Sequence, residues 1–188
     1  MDKTFATKLS SYLNCLYKRD DIENAKIIYA LELLLNTQLK LMGVFTIAFL
    51  FHLVKDTIIM ILLFTLLRIF SGGMHCETSL SCFFAYSSII IGGAIFSKYI
   101  FIPLHVYLPV MAINGYIIHQ YAPSETKLIK YSKNTRIKYK LYSLLTLILY
   151  VVISLFFNNL IFRTKTFVVV TSIAITILPA LNRKYHTD

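Results

Sequence analysis

Long stretches without a single Lys, Arg, Asp or Glu dominate this sequence of 188 residues. Three of them cover residues 78–97, 99–124 and 141–162. Each matches the roughly 20 apolar residues that a helix needs to cross the hydrocarbon core of a membrane. Because backbone amides in lipid must bond internally, and because these runs lack the alternation of barrel strands, we predict membrane-spanning helices.

Three further segments complete the predicted fold. They are residues 33–54 and 57–76, which contain only Lys40 and only Arg68 as charged residues, and the shorter uncharged run 166–182. The sequence is 57% hydrophobic and only 15% charged, which is too apolar for a water-soluble domain. We therefore predict an all-α polytopic integral membrane protein with about six embedded helices, formed by one domain over residues 1–188 with its transmembrane core at 33–182.

The formal net charge of +10 is interpreted as a topology signal, not as a nucleic-acid-binding surface. The stretch 125–140 contains six cations and one acid, Glu125. Cytoplasmic loops are enriched in Lys and Arg, so we predict that this loop and both termini are cytoplasmic. The connectors near Lys55-Asp56, Lys98 and 158–165 then lie outside, and the connector 68–80 lies at the cytoplasmic face.

The N-terminal segment, residues 1–19, has an amphipathic pattern. Apolar residues at helical spacing alternate with cations, which predicts a helix lying in the membrane interface. An amphipathic helix packed on the protein's own cytoplasmic loops is the alternative. The apolar positions are Phe5, Leu9, Tyr12, Leu13 and Leu16.

The stretch from Arg68 to Cys82 concentrates polar residues at one membrane edge, where polar side chains are costly and often functional. A thiol is nucleophilic as its thiolate, and a nearby His can take its proton. His75 and Cys82 are seven residues apart, which is about 10 Å along a continuous helix and too far for proton transfer. A catalytic pair therefore requires a break in the helix, with Cys82 at the start of the third span.

Neighbouring residues offer supporting roles and alternatives. Cys76 is adjacent to His75 but points about 100° away on a helix, so packing is its expected role, as it is for Cys15. Gly72 and Gly73 are candidate backbone donors to an oxyanion, or packing residues. Glu77, Ser79 and Glu125 are candidates for the group that orients His75. Arg68 is a candidate headgroup anchor or a ligand for carboxylates.

No metal or cofactor is expected. A zinc site built on His75, Cys76 and Cys82 would need a fourth ligand from a distant segment. Three other histidines are scattered through the spans, and we expect hydrogen-bonded interior positions for them. They are His52, His105 and His119. A small channel or transporter without peptidase activity is the alternative function.

Two motifs resemble one family. Arg68-x-x-Ser71-Gly72-Gly73-x-His75-x-x-Thr78-x-x-x-Cys82, and Tyr121-Ala-Pro-Ser-Glu-Thr126 before a Lys-rich stretch, are similar to those of the accessory gene regulator B (AgrB) family of quorum-sensing membrane endopeptidases. A Cys at position 76, where the family often has a small residue, is a departure. The length and the number of spans also fit, so the resemblance covers essentially the whole chain.

The resemblance implies a cysteine peptidase with Cys82 as nucleophile and His75 as base. The implied substrate is a small precursor peptide of the AgrD type, from which the enzyme removes the C-terminal tail. A thiolactone or lactone ring can then close. The implied partners are this precursor and membrane lipids, with a homodimer left open, and the implied location is the cell membrane with the active site at its cytoplasmic face.

Overall fold

A computed structural model describes residues 37–73, 79–124 and 132–178 of the chain. These residues form six helices and no strand. The helices are α1 (Thr37–Leu50), α2 (Val54–Ser71), α3 (Ser79–Tyr99), α4 (Leu104–Tyr121), α5 (Lys133–Phe156) and α6 (Leu160–Ile177). The predicted N-terminal segment 1–19 lies outside the described residues.

The all-helical fold class is confirmed, since a helix overlaps each predicted span. Among the described helices, three are long and apolar enough to cross a membrane: α3 over Leu80–Tyr99, α5 and α6. The helix α1 is apolar but shorter. These lengths and compositions are those of a helical membrane protein.

The internal contacts of the chain divide it into two compact units, residues Met1–Thr46 and residues Ile47–Asp188. In the second unit, α6 is the central helix and packs against α2, α3, α4 and α5. Its buried residues cover all sides over Arg163–Thr166, and from there to Ile177 they recur at intervals of three and four residues on one face. Of the first 46 residues the structure describes only the start of α1, where the Thr46 hydroxyl donates to the Met42 carbonyl at 2.9 Å.

The outer surface of the bundle is apolar. Large exposed side chains recur at intervals of three and four residues, which places them on one face of each helix. Such faces suit lipid, where exposed apolar area carries no penalty. They are Ile58, Leu62, Leu66 and Ile69 on α2, and Leu141, Leu145, Ile148, Val152 and Leu155 on α5.

The boundary between the last two helices differs from the prediction. The predicted span 141–162 ends early, because the chain turns at Asn158, which has a φ of 43°. Asn is one of the few residues that tolerate this left-handed conformation. The Asn159 side chain then caps α6 by accepting from the Phe162 N–H at 3.1 Å. The predicted connector 158–165 is therefore wrong, since residues from 160 onward are helical.

The basic stretch 125–140 is also not entirely a loop. Helix α5 begins at Lys133, where Ser132 accepts from the Thr135 N–H at 3.3 Å as an N-cap. Its first two turns contain four of the six predicted loop cations. The fourth span is likewise shorter than 99–124, because it starts only after Pro103.

Three helix ends meet at a partly buried ion cluster. Asp56, in the first turn of α2, pairs with Lys98 near the end of α3 at 3.2 Å. It also pairs with Lys165, in the second turn of α6, whose side chain is 3% exposed. The three connectors that were predicted to share one side of the membrane therefore lie at one end of the bundle, which we call the Asp56 end.

Polar contacts inside the bundle join α6 to α4 and α5 to α2. Tyr107 and Thr166 share a hydrogen bond of 3.0 Å, and the Asn114 amide donates to the Thr171 hydroxyl at 3.0 Å. The Tyr150 hydroxyl donates to the Leu63 carbonyl at 2.8 Å. In an apolar environment such bonds fix the relative positions of helices, because the groups have no water to bond instead.

Candidate active site

The end of α2 is shaped by Gly72. This residue has a φ of 69° and a ψ of −148°, close to a region of backbone space that only glycine enters without strain. Its N–H donates to the Arg68 carbonyl at 3.0 Å and closes the helix. The expectation that Gly72 supplies an N–H to an oxyanion is therefore not met in this conformation.

The segment 71–72 pairs with the chain that follows α4. The Ser124 N–H donates to the Ser71 carbonyl at 2.9 Å, and Gly72 and Ser124 form a parallel β-bridge. Ser124 follows Ala122 and Pro123, which are joined by a cis peptide bond. The Ser-Gly-Gly and Tyr-Ala-Pro motifs, about 50 residues apart in sequence, thus touch in space.

This close approach leads to a first prediction. A Cβ added to Gly72 would lie 2.7 Å from the Ser124 carbonyl oxygen, in a backbone conformation that L-residues avoid. Gly72→Ala is expected to lower the free energy of unfolding by about 1–3 kcal/mol. Gly92→Ala in α3 is the matched control, because its Cβ would meet no atom within 4 Å. Denaturant titration of both variants in detergent checks this, and equal stabilities would contradict it.

Arg68 is held by α6 and by its own helix. Its Nη1 donates to the Thr176 hydroxyl at 3.1 Å, and its guanidinium carbon lies 5.8 Å from the centre of the Phe64 ring. Gly73 packs directly on this pair, since a Cβ there would collide with the Arg68 guanidinium and approach Thr176 Oγ1 to 3.1 Å. The ends of α2, α4 and α6 therefore converge, and we call this the Arg68 end.

Cys82 lies at the same end. It is in the first turn of α3, which runs from Ser79 to the Asp56 end at Lys98. Tyr86, one turn further on, packs edge to face on Phe64 with ring centres 5.5 Å apart. Residues four apart share a helix face, so Cys82 and Arg68 each lie one turn beyond this aromatic contact.

The Cys82 thiol is free and half-buried. It occupies the N-terminal turn of its helix, where unpaired N–H groups favour negative charge. Helix α2 ends at Ser71, and the two glycines that follow it have positive φ angles of 69° and 137°, so the chain leaves the helix before position 75. The predicted break between His75 and Cys82 stays a prediction, because residues 74–78 lie outside the described residues.

The remaining predicted site residues fall in different places. Ser79 is the first residue of α3. His52, His105 and His119 are exposed, so their predicted interior positions are wrong. His75, Glu77, Glu125, Cys15 and Cys76 lie outside the described residues. The sequence reasoning missed Thr176, whose only signal was a hydroxyl in an apolar run, and the contact made by Ser124.

Comparison of the sequence with known proteins gives one family match and three similar relatives. A family model described as "Accessory gene regulator B" matches residues 3–181. A "Putative AgrB-like protein" of Clostridium acetobutylicum is 30% identical over 122 residues, which are 65% of this chain and 58% of the relative. One of Clostridium perfringens is 30% identical over 134 residues, which are 68% of this chain and 61% of the relative.

The matched region thus spans about three fifths of the length of these two clostridial relatives. An "Accessory gene regulator protein B" of Staphylococcus haemolyticus is 26% identical over 168 residues, which are 89% of each chain. No solved structure matches the chain. With a family match that covers nearly its whole length, the chain belongs to the accessory gene regulator B family.

Proposed function

We propose that this protein is a membrane-embedded cysteine endopeptidase of an accessory gene regulator quorum-sensing system. Its substrate is a small AgrD-like precursor peptide, from which it removes the C-terminal tail. Cys82 is the nucleophile and His75 the general base. The observation that carries the proposal is the convergence at the Arg68 end, where the Ser-Gly-Gly segment that leads to His75 and the first turn of α3 with Cys82 lie together.

The proposed reaction has two steps, formation of a thioester on Cys82 and exchange of that thioester. His75 takes the Cys82 proton, and the thiolate attacks the scissile carbonyl carbon, so that a C–S bond forms. The tetrahedral intermediate collapses with loss of the C–N bond, and the imidazolium gives its proton to the departing amine of the tail. A thioester remains on Cys82, and the tail leaves as a neutral amine before it equilibrates with solvent.

The second step determines the product. A thiol within the retained part of the precursor gives its proton to His75 and attacks the thioester carbonyl, so that a new C–S bond forms while the bond to Cys82 breaks, and His75 returns the proton to the Cys82 thiolate. One thioester replaces another, so this exchange is close to thermoneutral. Exclusion of water favours it over hydrolysis. The product is then a thiolactone ring, or a lactone where a hydroxyl replaces the attacking thiol.

The proposed location makes this exchange reasonable. The basic stretch around Lys133 favours a multi-pass protein with its Arg68 end and both termini on the cytoplasmic side. A precursor that lies on the inner leaflet through its own amphipathic helix would reach this end directly. The half-buried position of Cys82 limits the access of water to the thioester.

Co-expression tests the proposal. The chain is expressed together with the short open reading frame next to its gene, and membranes are analysed by mass spectrometry. We expect a released C-terminal tail and a thioester-linked precursor fragment on Cys82. Absence of tail release even with excess precursor would contradict a peptidase. Solute flux in proteoliposomes that survives thiol alkylation would support the alternative, a small transporter or channel.

A further inference from the structure

The last turn of α6 contains a residue that the proposed chemistry does not use. Thr176 is the partner of Arg68 across 108 positions of sequence. Its hydroxyl donates to the Ile173 carbonyl at 2.8 Å within its own helix and accepts from Arg68 Nη1 at 3.1 Å. Because its single proton is used in the first bond, the oxygen presents a lone pair in a fixed direction.

This fixed acceptor sets where the guanidinium of Arg68 lies. One edge bonds to Thr176, and its carbon atom lies 5.8 Å from the Phe64 ring centre. A guanidinium held by a ring and by a directed acceptor has few alternative positions. Thr176 thus orients the guanidinium of Arg68, which lies in the last turn of α2, four residues before Gly72.

The guanidinium in turn supports the backbone of Gly73. This residue has a φ of 137° and is buried, with Arg68 and Thr176 directly beside the position that a Cβ would take. On its other side, Gly72 is paired with Ser124. The two glycines are therefore clamped between α6 and the chain after α4, just two residues before His75.

From these contacts we infer that Thr176 is a positioning residue for the His75–Cys82 reaction. Outside its own helix its described contacts are with Arg68 and with the position that a Cβ of Gly73 would take, and it acts through them on the segment that leads to His75. The identity of the reaction rests on the proposed function, whereas the hydrogen bond between Arg68 and Thr176 is independent of it. An isosteric side chain without the hydroxyl removes this one hydrogen bond of the guanidinium while it preserves the packing volume.

Thr176→Val and Thr176→Ser form the test pair, made in the full-length chain in liposomes. With the precursor as substrate, Thr176→Val is expected to lower kcat about 10- to 100-fold, the equivalent of one charge-assisted hydrogen bond, with little change in KM. Thr176→Ser retains both hydrogen bonds and is expected to restore most of kcat. A purely structural role would not be rescued in this way.

Thr171→Val is the matched control. It removes a hydroxyl from the same helix by the same substitution, and the lost bond is the one from Asn114 at 3.0 Å. It has no contact with Arg68 among the described bonds, so we expect a kcat near that of the wild type. Equal losses of kcat in Thr171→Val and Thr176→Val would overturn the positioning role.

A second measurement needs no precursor. Iodoacetamide alkylates Cys82 faster when a base is placed to take its proton. In a background with Cys15→Ala and Cys76→Ala, Thr176→Val is expected to slow alkylation toward the rate of His75→Ala, and Thr176→Ser is not. Slowed alkylation without tail cleavage by the wild type would retain the positioning role and reject the peptidase. An unchanged alkylation rate in Thr176→Val would overturn the inference itself.

Discussion

Alanine at Cys82 or at His75 is expected to abolish cleavage of the cognate precursor. Without Cys82 no thioester forms, so activity falls to the background rate. Without His75 the thiol loses its base and the leaving amine its acid, which costs about 10²- to 10⁴-fold. The measurement is tail release from the co-expressed precursor, followed by mass spectrometry with equal amounts of each variant in the membrane.

Two cysteine variants serve as controls for this experiment. Cys15→Ala and Cys76→Ala remove thiols outside the proposed reaction and are expected to leave cleavage largely intact. Cys76 is the stringent control, because it is adjacent to His75 in sequence. A precursor fragment trapped on Cys76 and not on Cys82 would show that the nucleophile is misassigned.

Asp56→Ala is expected to cause the largest loss of stability in the bundle. The side chain of Lys165 is 3% exposed, and Asp56 is the carboxylate that pairs with it. Removal of one partner from a buried pair leaves an uncompensated charge, which costs about 3–5 kcal/mol. Reversible unfolding in detergent, followed by circular dichroism, measures the change in the free energy of unfolding.

The same cluster provides two controls. Lys98 also pairs with Asp56, but its side chain is 40% exposed, so Lys98→Ala is expected to cost at most about 1 kcal/mol. The double variant Asp56→Ala with Lys165→Met removes both buried charges and is expected to regain much of the lost stability. If Lys98→Ala destabilised the protein as much as Asp56→Ala, the burial of Lys165 would not be the cause.

Over the described residues, the helical fold class and the approximate positions of the helices could be predicted from the sequence because lipid requires long apolar segments. The boundaries could not always be predicted by the same rule. Arg163 and Lys165 were treated as markers of a connector, since charges normally avoid the membrane interior. The structure buries both within α6, where Arg163 donates to Asn158 at 2.8 Å and Lys165 pairs with Asp56. Both charged side chains have partners within the bundle, and such partners are not visible in a sequence.

The features of the candidate site could likewise be predicted only in part. The position of Cys82 near the start of the third helix could be predicted, because the apolar run that forms this helix begins at residue 78. The contacts of Gly72 with Ser124 and of Arg68 with Thr176 could not, since they join positions separated by 52 and 108 residues. Single-sequence patterns report local periodicity, and these contacts depend on how the helices pack.

The central position of α6 has a consequence for biosynthesis. This helix supplies Lys165 to Asp56 at one end of the bundle and Thr176 to Arg68 at the other, yet it is translated after α2, α3, α4 and α5. While the ribosome is still producing the earlier helices, neither the Asp56–Lys165 ion pair nor the Arg68–Thr176 hydrogen bond can form. These contacts at the two ends of the bundle are therefore completed only after α6 has been translated.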